Sequence, residues 1–209
     1  MSDLAKEKRD VKNFSKIRIR CFAHIEIEQD EEESLVIEAI PSSLTKIKTE
    51  LYDDTLLFGY TWHAYLWPRR FNAYLRVKNL QGIYFEGAGD VNSELVKTER
   101  MEIRISGAGK VKLKLESKEM DVTIYGSGSI WLSGKTEKES IKIFGSGSLF
   151  AEDFKSQDCA ISISGSGSTK VSAEKKLNIK ISGSGSTGYV GNPEITQNIM
   201  GAGRIYRIR

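Results

Sequence analysis

Seven copies of the triplet G-[AS]-G dominate this sequence. They begin at Gly87, Gly107, Gly126, Gly145, Gly165, Gly183 and Gly201 and close at Gly89, Gly109, Gly128, Gly147, Gly167, Gly185 and Gly203, taking 14 of the 19 glycines. The intervals are 20, 19, 19, 20, 18 and 18 residues. A near-constant period of this length belongs to a stacked repeat, in which each unit buries its apolar face against the next.

The flanks define the repeat. Ile103 and Ile105, Val122 and Ile124, Ile141 and Ile143, Ile161 and Ile163, and Ile179 and Ile181 alternate ahead of the glycines, with Met101, Met120, Cys159 and Leu177 extending the same face. Val111 and Leu113, Ile130 and Leu132, and Leu149 and Ala151 follow them. This is period-two alternation rich in β-branched residues, so each unit reads as strand, tight glycine corner, strand and polar return. The spacing predicts an all-β, single-stranded parallel β-helix of about 19 residues per coil, right-handed because parallel crossovers take that hand. An antiparallel sandwich with G-x-G turns is the competing fold, and the constancy of the interval disfavours it.

Residues 1–10 read as a disordered or extended lead, and 11–209 as a single domain. Within it, 11–75 form an irregular cap with the first coils, and 76–209 the regular coils. Phe22 to His24 stands where a G-x-G corner would fall, Pro41 to Leu44 reads as a turn or one helical turn, and 47–51 with 56–60 as a hairpin across Asp53 and Asp54.

Composition narrows the chemistry. Lys plus Arg number 31 against 28 Asp plus Glu, a net charge of +3, which offers no basic excess for nucleic acid. No apolar run is long enough for an integral membrane helix. Gly183 to Gly188 spells G-x-G-x-x-G, but Gly191, Asn192 and Pro193 follow where a dinucleotide site needs a helix N-terminus. Gly109-Lys110 lacks the upstream glycine and the following hydroxyl of a phosphate loop. Ser127, Ser146, Ser166 and Ser184 read as a structural hydroxyl ladder, since His24 and His63, the candidate bases, lie far from them in sequence. Only the first coil carries an acid after its glycines, Asp90, which excludes a repeated calcium site; Glu86, Asp90 and Glu94 read as solvated acids, with a single site there as the alternative. Cys21 and Cys159 read as small buried hydrophobes. No catalytic residue, metal or cofactor is expected.

The candidate ligand or interface residues lie in 58–74, which packs seven aromatic residues into 17 positions. Tyr60, Trp62, Tyr65, Trp67, Arg69 and Arg70 combine flat rings with cationic donors, a composition that suits a sugar face, a protein contact or a cap packed on the first coils.

The opening R-D-V-K-N-F-S-K-I-R-I, the stretch V-K-N-L-Q-G-I-Y-F-E-G-A-G-D-V, the repeated I-x-I-x-G-S-G-S and the closing G-N-P-E-I-T-Q-N-I-M-G-A-G-R-I together resemble the auto-transporter adhesin, head GIN domain family, a family of domains without an assigned activity. The resemblance implies a right-handed β-helix, a homo-oligomer and placement at the cell surface, in the periplasm or outside bacteria such as Bacteroidetes. It supplies no catalytic residue. Members carry a secretion signal, whereas Met1 to Asp10 is charged; the expectation is a leader already removed, with an intracellular location as the alternative. The function expected is non-enzymatic binding of glycan or protein. A structural scaffold is the alternative, and a β-helical polysaccharide lyase or hydrolase the third reading.

Overall fold

A computed structural model describes residues 4–61 and 69–208. Five long strands form its body: β9 (Ala88–Gly107), β10 (Lys110–Gly126), β11 (Ser129–Gly145), β12 (Ser148–Gly165) and β13 (Ser168–Gly183). Each pairs in parallel with the next along nearly its whole length. Lys110 pairs with Asp90, Ser129 with Lys110, Ser148 with Ser129, and Ser168 with Ser148, so the pairing register repeats the spacing of the glycine triplets. The result is a β-solenoid of about seven turns with about 19 residues per coil.

Two kinds of constraint fix glycine at the corner. Gly165 has φ +124°, and a β-carbon there would lie 2.6 Å from the carbonyl oxygen of Gly145 in the preceding coil. The constraint is backbone conformation and backbone contact together. Two residues on, a β-carbon on Gly167 would stand 2.6 Å from Cγ2 of Ile143, a side chain of the core. Each corner is sealed by backbone bonds such as Ser166 N–H to Gly145 C=O, 2.9 Å, and Ser168 N–H to Gly147 C=O, 3.0 Å. Ser166 itself points to solvent. The hydroxyl bond between stacked serines forms two residues later, Ser148 to Ser168 at 3.1 Å, so the corner serines are held by their amides rather than by a side-chain ladder.

Inside the coils the apolar columns stack without interruption, with Ile103, Val122, Ile141, Ile161 and Ile179 in one and Ile105, Ile124, Ile143, Ile163 and Ile181 in the next. One column departs from type. Met101, Met120, Cys159 and Leu177 are joined there by Glu139.

The N-terminal part is ordered differently in space than in sequence. β2 (Lys16–Ile19) and β3 (Phe22–Gln29) form a coil of their own, with Phe22 to His24 at the corner in register with Ala88 to Asp90. On one side lie β8 (Gly82–Phe85) and β9; on the other lie β6 (Thr55–Tyr60) and β7 (Phe71–Val77), all parallel to it. The first coil in the chain is therefore the second in the stack. β5 (Ile47–Tyr52) pairs antiparallel with β6 across a turn in which Asp53 has φ +51°. β4 (Ser34–Ala39) runs antiparallel to β7, and β1 (Ala5–Arg9) antiparallel to β4; α1 (Pro41–Leu44) is a single turn. Arg9 stitches this cap together through bonds to the carbonyl oxygens of Ile47 and Leu44, 2.8 and 3.0 Å, and to Thr49 Oγ1, 3.0 Å.

The far end is built from β14 (Ser186–Val190), β15 (Glu194–Gly201) and β16 (Arg204–Arg207). Every residue of β15 is exposed, including Ile195 and Ile199, which continue the inward columns of Leu177 and Ile181. The loop around Pro193 does not cover this end, and the last coil leaves its interior face open.

Candidate functional site

The sequence-derived candidates separate in the structure. Trp62, Tyr65 and Trp67 lie outside the described residues. Tyr60 is only 6% exposed and meets Phe71 edge-on, ring centroids 6.1 Å apart. Its hydroxyl accepts from Phe22 N–H at 3.2 Å and donates to the carbonyl oxygen of Arg69 at 2.9 Å. Tyr60 is therefore not a free contact residue; it pins the chain leaving the aromatic segment to the first corner. Tyr60→Phe should lower stability by roughly 1 to 2 kcal/mol, because the Phe22 amide and the Arg69 carbonyl lose their partner. A denaturation midpoint equal to that of the parent would contradict this.

Arg69 and Arg70 are exposed. Arg70 bonds to Asp90 at 2.5 Å and lies over the Phe22 ring, 5.8 Å from its centroid. The other Asp90 oxygen faces His24 Nδ1, while His24 Nε2 is 2.7 Å from Glu26 Oε1, to which Asn92 Nδ2 donates at 3.0 Å. His24 reaches the repeat because Phe22 to His24 occupies a corner position, an adjacency hidden by 66 residues of separation. Glu86 is likewise engaged, by Arg20 at 2.6 Å and Arg18 at 3.7 Å. Glu86 and Asp90 each face an arginine, and Asp90 and Glu26 hold His24 between them, so the first corner is a polar clasp of side chains engaged with one another. Among the described residues no group of three His, Cys, Asp or Glu side chains is arranged to hold a metal ion.

What sequence reasoning missed is a second set of aromatics on the regular coils. Tyr125 and Phe144 each precede the first corner glycine of consecutive coils, and their rings stack 5.1 Å apart with 8° between planes. Five residues after those glycines, Trp131 and Phe150 stack 5.3 Å apart at 14°. Tyr125 is 50% exposed, Phe144 41% and Trp131 37%. The two pairs flank the serine ridge at Ser127 and Ser146. Rings of this size on a rigid sheet offer apolar area to solvent. Identical offsets from successive G-x-G triplets were the available signal.

The interior holds one group at odds with its surroundings. Glu139 is 2% exposed, and neither carboxylate oxygen has a hydrogen-bond partner among the described residues. Burial pushes its carboxyl up to about 7, against a smaller opposing influence of Cys159 and Ser156. Burial also holds the Cys159 thiol well above the usual range, and that of Cys21 at about 12, which keeps both protonated and inert.

Solved structures share this architecture. A crystal structure of "a putative adhesin" from Bacteroides fragilis superimposes with a TM-score of 0.92 at 24% identity, covering 100% of this chain and 98% of that one. A second "putative adhesin", from Parabacteroides merdae, gives 0.76 at 18% identity, covering 99% and 96%. A "putative lipid binding protein" from Parabacteroides distasonis gives 0.77 at 21%, covering 99% and 97%. At these identities the likeness is one of fold. No curated protein matches the chain. The chain folds as a glycine-cornered β-solenoid and a family model matches its residues 13–193, so it belongs to the family described as "Putative auto-transporter adhesin, head GIN domain".

Proposed function

We propose that this protein is a non-enzymatic adhesion module of the bacterial cell surface or envelope, and that it binds glycan through rings presented on the outside of the solenoid. The observation that carries the reading is the two stacked aromatic couples on two consecutive coils, Tyr125 with Phe144, both exposed, and Trp131 with Phe150, of which Trp131 is exposed and Phe150 half-buried. Sugar rings offer apolar C–H faces that pack on aromatic surface, and a sheet held by five parallel strands spends no ordering entropy on that contact. Membership of an adhesin family supports placement outside the cell. The engagement of Glu86 and Asp90 by Arg18, Arg20, Arg70 and His24 supports a positioning role for these acids over an acid–base one.

A glycan array tests it with the parent, Tyr125→Ala/Phe144→Ala, Trp131→Ala/Phe150→Ala and, for the segment outside the described residues, Trp62→Ala/Trp67→Ala. Binding should fall at least tenfold in one or both coil variants while the β-type circular dichroism is kept. Loss confined to the Trp62, Trp67 variant would move the site to the cap. A blank array would end the glycan reading in favour of protein contacts.

A second reading, self-association into a scaffold, is favoured by the open end, where Ile195, Ile199, Met200 and Tyr206 are exposed together. Copies joined there would also multiply a weak surface contact. Sedimentation that is independent of concentration, and unchanged in Ile195→Lys/Ile199→Lys, would dismiss it.

A further inference from the structure

On the outer face of the coils, where β11, β12, β13 and β15 run towards the corner, lies a trough of about 590 Å³, a volume in the usual range for small-ligand sites. Ala160 and Ser162 form its floor, and their small side chains create the hollow. Lys142 and Lys180 stand on either side of Ser162 in one column, two coil steps or roughly 9.5 Å apart, about the length of a disaccharide. Ser140, Asn178, Thr196 and Asn198 supply hydroxyl and amide groups along the rest. Phe144 does not line the trough; it lies two residues beyond Lys142 on the same outward side and carries an exposed ring past the trough's end.

Charge separates this face from its surroundings. No acidic side chain lines the trough, and neither lysine has an ion-pair partner among the described residues. The side chains of Ser140, Asn178, Thr196 and Asn198 are not bonded to another described residue either. The adjoining groove, by contrast, mixes Arg100, Glu119, Asp121, Lys138, Asp158 and Lys176, and Arg100 is already paired with Asp121 at 2.8 Å. Two uncommitted cations across a small-residue floor, with neutral donors and acceptors between and a ring past its end, complement a ligand that is acidic, polyhydroxylated and ring-shaped.

We infer that this trough binds an acidic oligosaccharide, its carboxylate or sulfate groups held by Lys142 and Lys180 and one sugar face set against Phe144. The inference rests on the glycan reading above and adds the class of sugar. Charge-assisted bonds to the lysines give the preference for acidic over neutral chains, and the amides and hydroxyls take the sugar hydroxyls.

Isothermal titration of the full chain with a heparin-derived hexasaccharide, its desulfated counterpart, a neutral chitin hexasaccharide and an oligothymidylate tests this. The acidic sugars should bind, the neutral sugar at least tenfold more weakly, and Lys142→Ala/Lys180→Ala should cost at least tenfold for the acidic sugars. Lys46→Ala/Lys155→Ala, which removes the same charge elsewhere, should leave binding unchanged. Equal binding of both heparin forms assigns carboxylate recognition, and loss on desulfation assigns sulfate; either supports the site. Oligothymidylate binding as tightly, or an equal loss in both lysine pairs, would show general polyanion attraction and overturn it. Neutral-sugar binding that needs Tyr125 and Phe144 but ignores the lysines would overturn this inference and leave the glycan reading standing. Failure of every sugar to bind would remove both.

Discussion

Replacing Gly165 with alanine is expected to destabilise the solenoid by about 3 kcal/mol or more, as two penalties combine. At φ +124° an L-residue is strained in any surroundings, and the new β-carbon would sit 2.6 Å from the carbonyl oxygen of Gly145, an atom held by its own place in the sheet. Gly167→Ala should cost less, roughly 1 to 3 kcal/mol, since its backbone has no positive φ and only the overlap remains, with Ile143 Cγ2 at 2.6 Å and the Gly147 carbonyl oxygen at 3.0 Å. Ser166→Ala, on the exposed residue between them, should stay within about 0.5 kcal/mol of the parent. Denaturant midpoints for the three variants should fall in that order. Equal midpoints for Gly165→Ala and Ser166→Ala would refute the account of the corner.

Glu139 gives an opposite expectation, a substitution that stabilises. Its carboxyl, raised from 4.5 to about 7 by burial, is neutral in the folded state below that value and charged above it. A raised folded-state value means the folded form holds its proton more tightly than the unfolded chain does. The contribution of Glu139 to stability is therefore greatest below about pH 4.5, declines as pH rises, and reaches its lower plateau above about pH 7, whereas Glu38, Asp54 and Glu102, whose carboxyls are held below their usual values, contribute stability that is lost only as pH falls further. The drop is roughly 3 kcal/mol. Glu139→Gln should flatten this slope, because nothing remains to ionise. Glu139→Met should also raise the whole curve, since the side chain would lie in the column of Met101 and Met120, above Cys159. At pH 8 the methionine variant should exceed the parent by about 2 to 3 kcal/mol, and by less at pH 4.5. Thermal and urea midpoints at both pH values read this directly; a parent curve flat from pH 5 to 8 would exclude a burdened Glu139.

The two residues mark opposite ends of legibility. Gly165 was assigned to a corner from its spacing, because a conformation that only glycine tolerates leaves the same letter in every coil. Glu139 was passed over. Alternation and the repeat put it at the inward position that Met101, Met120, Cys159 and Leu177 hold in their coils, but a glutamate argues for solvent, and only the pairing of β10, β11 and β12 shows the carboxylate buried. The aromatic couples fall between these cases. Tyr125 and Phe144, and Trp131 and Phe150, repeat at fixed offsets and so were recoverable, but the denser cluster at 58–74 drew the assignment there, and of its described rings Phe58, Tyr60 and Phe71 are core while Tyr74 alone is exposed.

The sequence by itself determined the solenoid, its period, the corner positions and the inward columns. Each of these is a local rule repeated along the chain, so sequence spacing translates directly into position. Tertiary structure decided everything that depends on which coils are neighbours across long separations. It set β2 and β3 between β6–β7 and β8–β9, brought His24 to Asp90, left Ile195 and Ile199 on an open end, and placed Lys142 and Lys180 on either side of Ser162. The physical reason is that strand pairing is satisfied by any neighbour of matching register. Alternation fixes which side a residue faces, while the order of stacking is chosen by the packing of the whole.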